Sequence, residues 1–134
     1  MATSLLDATI TTAGTVISGT VQHLHDKSII GAAAVFDYGS GGTNAKAWLQ
    51  SSFDDGTTWM DIANFAFTTA DATRVFALGN PTFGTANLTP ADGTLGDNAI
   101  VQFPIGDQIR VKLVSTGTYA GATTLKVYLV TKQF

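Results

Sequence analysis

His23 and His25 stand two residues apart, with Asp26 close behind. On a strand, residues i and i+2 project from one face, so both imidazoles could turn toward the same metal ion. The chain has no Cys, and no further ligands stand at a suggestive spacing to complete a four-coordinate site. The pair therefore reads as a polar strand face or an inter-subunit contact, with no metal and no other cofactor expected. A second group is Asp54, Asp55 and Asp61, where two carboxylates could share acid and base roles. Glycosidic chemistry needs such a pair at a separation of roughly 5–9 Å, in a pocket that raises one of the two pKa values. Asp54 has a competing backbone role, described next, and Asp55 falls at a turn tip, so no catalytic residue and no enzymatic activity are expected. Asp92 to Asn98 places oxygen-bearing side chains at intervals, as a calcium loop does, but lacks the closing Glu of that pattern. It reads as a turn-rich loop. Nucleophile elbow, P-loop and H-E-x-x-H patterns are all missing from the sequence.

The strongest local signal is Ser52-Phe53-Asp54-Asp55-Gly56-Thr57-Thr58-Trp59, which fits S-x-D-x-G-x-T-W, the Asp-box pattern of sialidase-like repeats. Its chemistry is that of a hairpin. The Asp54 carboxylate accepts backbone N–H groups within the turn, and Gly56 takes a conformation costly for other residues. Thr58 resumes the strand, and Trp59 packs its ring across the hairpin. The structural set is thus Ser52, Asp54, Gly56, Thr58 and Trp59. A propeller needs several copies of the motif, and a sialidase needs an arginine cluster. This chain has one copy and two Arg. An exposed Trp59 would be the feature able to serve as a sugar platform.

The elements that must carry these residues are strands. Period-two alternation runs through Leu5–Thr11, Thr15–Leu24, Ser28–Tyr38, Ala45–Ser52, Thr58–Phe67, Thr73–Leu78, Ala99–Phe103, Gln108–Ser115 and Thr123–Lys132. Gly, Asp, Asn and Pro separate them, and a long loop spans Gly79 to Asn98. In Thr58–Phe67 the pattern sets Trp59, Asp61, Ala63, Phe65 and Phe67 on one side. The last two strands read as a hairpin, with Ile109, Val111, Leu113, Leu125, Val127 and Leu129 inward, and Arg110, Lys112, Val114, Lys126, Tyr128 and Val130 outward. The expected fold is all-β: one antiparallel β-sandwich over residues 1–134, jelly-roll-like, with eight or nine short strands.

Composition agrees. The chain has 134 residues, 13.9 kDa, with 45% apolar and 13% charged residues. All ten acidic residues are Asp, and 21 Thr, 18 Ala and 14 Gly stand against no Glu. That balance favours strands and turns over helices, and the apolar content excludes an intrinsically disordered chain. Net charge is −3, and the seven basic residues are scattered, so no nucleic-acid footprint is present. No apolar run is long enough to cross a bilayer as a helix, and no secretory signal opens the chain, which leaves a soluble protein made in a cytoplasm.

A wider likeness rests on three stretches: Gly39 to Thr69, which includes the Asp-box hairpin; Thr89-Pro90-Ala91-Asp92-Gly93-Thr94-Leu95-Gly96-Asp97-Asn98; and Arg110-Val111-Lys112 running into Thr116-Gly117-Thr118-Tyr119-Ala120-Gly121-Ala122-Thr123-Thr124-Leu125. From about Val35 to Val130 the chain resembles small structural proteins of tailed bacteriophages and prophages. The resemblance implies a virion component made in the bacterial host cytoplasm, foremost a capsid decoration (cement) protein whose partner is the major capsid protein. Its alternative is a tail, neck or fibre module that recognises a host glycan, through Trp59 or Phe83, or another virion protein. Symmetry leads us to expect a homo-oligomer, dimer or trimer. Its candidate contacts are Leu5, Leu6, Ile10, Val16 and Ile17 on an N-terminal arm over residues 1–20, together with outward Tyr128.

Overall fold

A strand that alternates apolar and polar residues has one face to hide, and two such sheets hide theirs against each other. The computed structural model describes residues 2–21, 27–77, 89–101, 106 and 108–133, which form ten strands and no helix. They are β1 (Ala2–Thr9), β2 (Gly14–Ile17), β3 (Lys27–Asp37), β4 (Ser40–Gly41), β5 (Asn44–Ser52), β6 (Met60–Phe67), β7 (Ala72–Ala77), β8 (Gln108–Thr116), β9 (Tyr119–Ala120) and β10 (Thr124–Gln133). Sheet A has the order β1-β10-β3-β7 and sheet B the order β2-β8-β5-β6, while β4 and β9 pair separately. All pairings are antiparallel. The fold is an all-β antiparallel sandwich. The eight longer strands pair first with last and so on inward: β1 with β10, β2 with β8, β3 with β7, β5 with β6. The chain is in effect one long ribbon of strand pairs rolled into two layers.

The core lies between the layers. Ile109, Val111 and Leu113 of β8 and Leu125, Val127 and Leu129 of β10 are each at most 1% exposed. Both inward sets are as the alternation predicts, but β8 and β10 are not a hairpin. They belong to opposite sheets, because two apolar strand faces bury more surface face to face than side by side. The segment between them carries left-handed backbone at Gly117, Gly121 and Ala122, and it crosses from one layer to the other. Tyr119 on that crossing closes one end of the core. Its ring meets Phe36 edge-on at 5.9 Å and its hydroxyl donates to the Thr68 carbonyl at 2.7 Å. Phe36 stacks on Phe67 at 5.0 Å.

Two bulges correct the expected faces. In β6 the register against β5 shifts between Leu49 and Gln50, so Ile62 is an extra residue. Ile62 and Ala63 are both buried, while Asp61 turns to the outer face opposite Gln50. In β1 the register shifts between Ser4 and Leu6, and Leu5 and Leu6 are both buried. The described part of the expected arm, residues 2–20, is built into the sandwich: β1 is the edge strand of sheet A, and Leu5, Leu6 and Ile10 are part of the core cluster. The adjacent Leu5 and Leu6 break strict alternation, and only the bulge lets both turn inward.

Candidate functional site

The outer face of sheet B carries the most elaborate polar chemistry among the described residues, and it begins at the Asp-box. Ser52 Oγ donates to Asp54 Oδ1 at 2.9 Å and accepts the Gly56 N–H at 2.8 Å. Asp54 Oδ1 also accepts the Thr58 N–H at 2.7 Å. That backbone bond is the main cause holding the Asp54 carboxyl below its ordinary value. Asp55 and Gly56 take φ of 58° and 86°, the positive angles that let the turn close. Trp59 donates its indole N–H to the Gly56 carbonyl at 3.1 Å. The five residues of the motif meet as the sequence predicts. The exception is Trp59 as a sugar platform: it is 8% exposed, and the Arg110 guanidinium lies 4.2 Å from the centroid of its ring. A ring this buried, with a cation over one face, presents little surface to a ligand.

Beside the hairpin, the 91–98 segment folds back over β5, β6 and β8. Its anchor is Asp61, which accepts the successive backbone N–H groups of Gly93, Thr94 and Leu95 at 2.8–3.0 Å. Gln50 donates from Nε2 to both Asp61 Oδ1 (2.9 Å) and Asp92 Oδ1 (2.7 Å), and accepts from Arg110 Nε at 2.8 Å. Lys112 reaches Asp92 at 3.2 Å, and Lys46 reaches Asp97 at 2.8 Å. Partial burial pushes the Asp92 carboxyl up. The Gln50 amide, Lys112 and Arg110 outweigh that push and bring it below the ordinary value. Trp48 donates its indole N–H to the Leu95 carbonyl at 2.9 Å. Asn64 accepts the Asn98 N–H at 2.9 Å, and Asn98, itself at φ 55°, accepts the Ala66 N–H at 3.0 Å. Asn64 Nδ2 is buried without a partner.

This arrangement fixes a loop; its chemistry is that of a clasp. The bulge turns Asp61 to the 93–95 amides, while Asp54 holds the Thr58 amide. Asp92 and Asp97 tie the 91–98 segment by ion pairs to Lys112 and Arg110 of β8 and to Lys46 of β5. Sequence reading missed Gln50 and Asn64, and it singled out Asp61 without its anchoring role. The available signal was Trp48 and Gln50 alternating on an outward strand face, since an outward Trp calls for a cover. A hollow of about 240 Å³ remains between Phe53, Asp54, Thr58, Met60 and Pro90.

The expected interface residues separate into groups. Leu5, Leu6 and Ile10 are internal; Val16 and Ile17 on β2 are 46% and 50% exposed. Tyr128 is half-buried on the outer face of sheet A, in a rung running Ser4–Tyr128–Ala33–Val75. His23, His25, Asp26 and Phe83 lie outside the described residues. A scan against protein-family models, a search of curated proteins and a search of solved structures each found no match to the chain.

Proposed function

We propose that the chain is a structural component of a tailed-phage virion, a capsid decoration protein that seats on the outer surface of the head and stabilises it. The observation that carries this reading is the contrast between the two outer faces. Sheet B's face is roofed by the chain's own 91–98 segment. Among the described residues no segment covers sheet A's outer face, which apart from Tyr128 and Lys126 carries mostly short side chains such as Ser4, Ala33, Val35, Thr73 and Val75. Beside the rung through Tyr128 and Val75 runs Asp7–Lys126–Val35–Thr73, in which two opposite charges stand on neighbouring strands. Val75 is 71% exposed. A flat, weakly charged face of this kind suits lattice contact, where a broad surface is covered rather than a small molecule enclosed. We read the rolled pairing of the eight longer strands as a jelly roll, an architecture shared by viral capsid and lectin domains. The resemblance to phage structural proteins supports the capsid side of that choice.

The lectin side keeps one specific observation, the hollow beside Asp54 and Phe53. The test is to strip and re-add the protein on phage heads and follow their melting. Raised melting on re-addition, lost in the variant Val75→Asp, is the expected result. Heads indifferent to the protein, combined with signal on a glycan array, would move the assignment to a host-recognition module.

A further inference from the structure

Natural edges are blunted by shortness, charge, proline, bulges or a covering segment. The edge strand β2 is short, four residues, but has none of the other protections among the described residues. The edge of β6 is taken by the 99–101 segment, through Val101 N–H to the Ile62 carbonyl at 2.7 Å and Asn64 N–H to the Ala99 carbonyl at 3.0 Å. The edge strand β7 carries Arg74, and β1 carries Asp7. From residue 8 to residue 21 the chain has no charged residue and no proline, and among the described residues no strand pairs with the outer side of β2. Its four residues are all exposed.

The register shows which groups are free. β2 pairs with β8 as Val16↔Leu113 and Ile17↔Lys112, and the Ser18 N–H continues the ladder to the Val111 carbonyl at 2.9 Å. Antiparallel strands turn alternate residues toward the neighbour. Gly14, Val16 and Ser18 therefore face β8, and Thr15 and Ile17 present their N–H and C=O outward. Val16 points to the inner side with Leu113, beside a cavity of about 250 Å³ lined by Ala8, Ile10, Thr15, Val16, Leu113 and Ser115.

We propose that this edge is the seat of a two-fold dimer in which β2 of a second copy pairs antiparallel with β2. A dyad perpendicular to the sheet sets Thr15 opposite Ile17 of the second copy and the reverse, so each of those pairs exchanges both backbone hydrogen bonds. Val16 then meets Val16 of the second copy on the inner side, at the mouth of the cavity. A second copy is the occupant because an uncharged edge meets itself without like-charge repulsion, and because the free groups fall two residues apart around a central Val16, the spacing a dyad requires. Sheet B of each copy would continue into the other. The inference does not rest on the virion reading.

The chain has no Cys, so Val16→Cys carries the only thiol. Opposed residues in a pair that exchanges no backbone hydrogen bond lie about 4.5 Å apart at Cα, within disulfide reach. The wild-type chain should sediment at twice 13.9 kDa at micromolar concentration. Val16→Cys should cross-link to a covalent dimer on mild oxidation, and Thr57→Cys at the hairpin tip should not. Val16→Lys should sediment as a monomer with an unchanged circular dichroism spectrum; if it fails to fold, the cross-linking result decides. A wild-type monomer, a trimer, or a dimer that Val16→Cys does not cross-link overturns the proposal.

Discussion

At the scale of single residues, Asp61 does for an irregular segment what a capping side chain does for a helix end. It gathers successive backbone N–H groups that would otherwise be desolvated without acceptors. Because Asp61 is 4% exposed, water cannot simply take its place. Asp61→Ala is expected to cost about 2–4 kcal/mol in urea unfolding, with faster amide exchange at Gly93, Thr94 and Leu95. An unchanged midpoint would mean that the clasp contributes nothing. Asp54 and Asp92 make a pH prediction. Both carboxyls sit below their ordinary value of 3.8 in the folded chain. Their contribution is thus complete above that value and is lost as pH falls from it through the folded pKa. Asp92→Asn should be less stable than the wild type at neutral pH, and the gap between the two should narrow as pH drops below 3.8. A gap that stays constant down to the acid limit would remove Asp92 from the ion-pair network.

At the scale of elements, strand faces were legible wherever the alternation was unbroken. β8 and β10 are the clearest case, since Ile109 to Leu113 and Leu125 to Leu129 show strict period two, and burial follows it residue for residue. The Asp-box was legible too, because its geometry is local: four of its bonds join residues at most four apart. What stayed hidden depends on partners distant in sequence. A bulge is defined against the neighbouring strand, so neither the inward turn of Leu5 with Leu6 nor the outward turn of Asp61 can be read from one strand alone. The clasp over Asp61 joins residues more than thirty positions apart. Correcting β1 from arm to edge strand changes what a deletion should do. Removal of residues 1–20 takes away Leu5, Leu6 and Ile10, which pack in the core, and uncovers β10. The truncated chain should lose dispersed amide resonances and cooperative unfolding; a folded truncation that only fails to assemble would restore the arm.

At the scale of the whole molecule, the rolled ribbon ties the beginning of the described chain to its end: Thr3 pairs with Leu129 and Thr9 with Thr124. Such non-local pairing makes chain closure the slow part of folding, in the range of milliseconds to seconds typical of all-β domains. The two layers are also unequal in what they ask of their surroundings. Sheet B carries the 91–98 segment over its outer face, and among the described residues no segment covers sheet A's.

The place of β10 has a consequence for biosynthesis. It is the last of the ten described strands in chain order, and it lies inside sheet A between β1 and β3. Until it is made, β1 has no neighbour in its layer, and the apolar faces of β5 and β8 have only β3 and β7 opposite them. Strand pairs such as β5–β6 and β3–β7 can form early, but the layer that closes the core cannot. The growing polypeptide therefore carries uncovered strands until residues 124–133 emerge, the interval in which a chaperone would have something to hold.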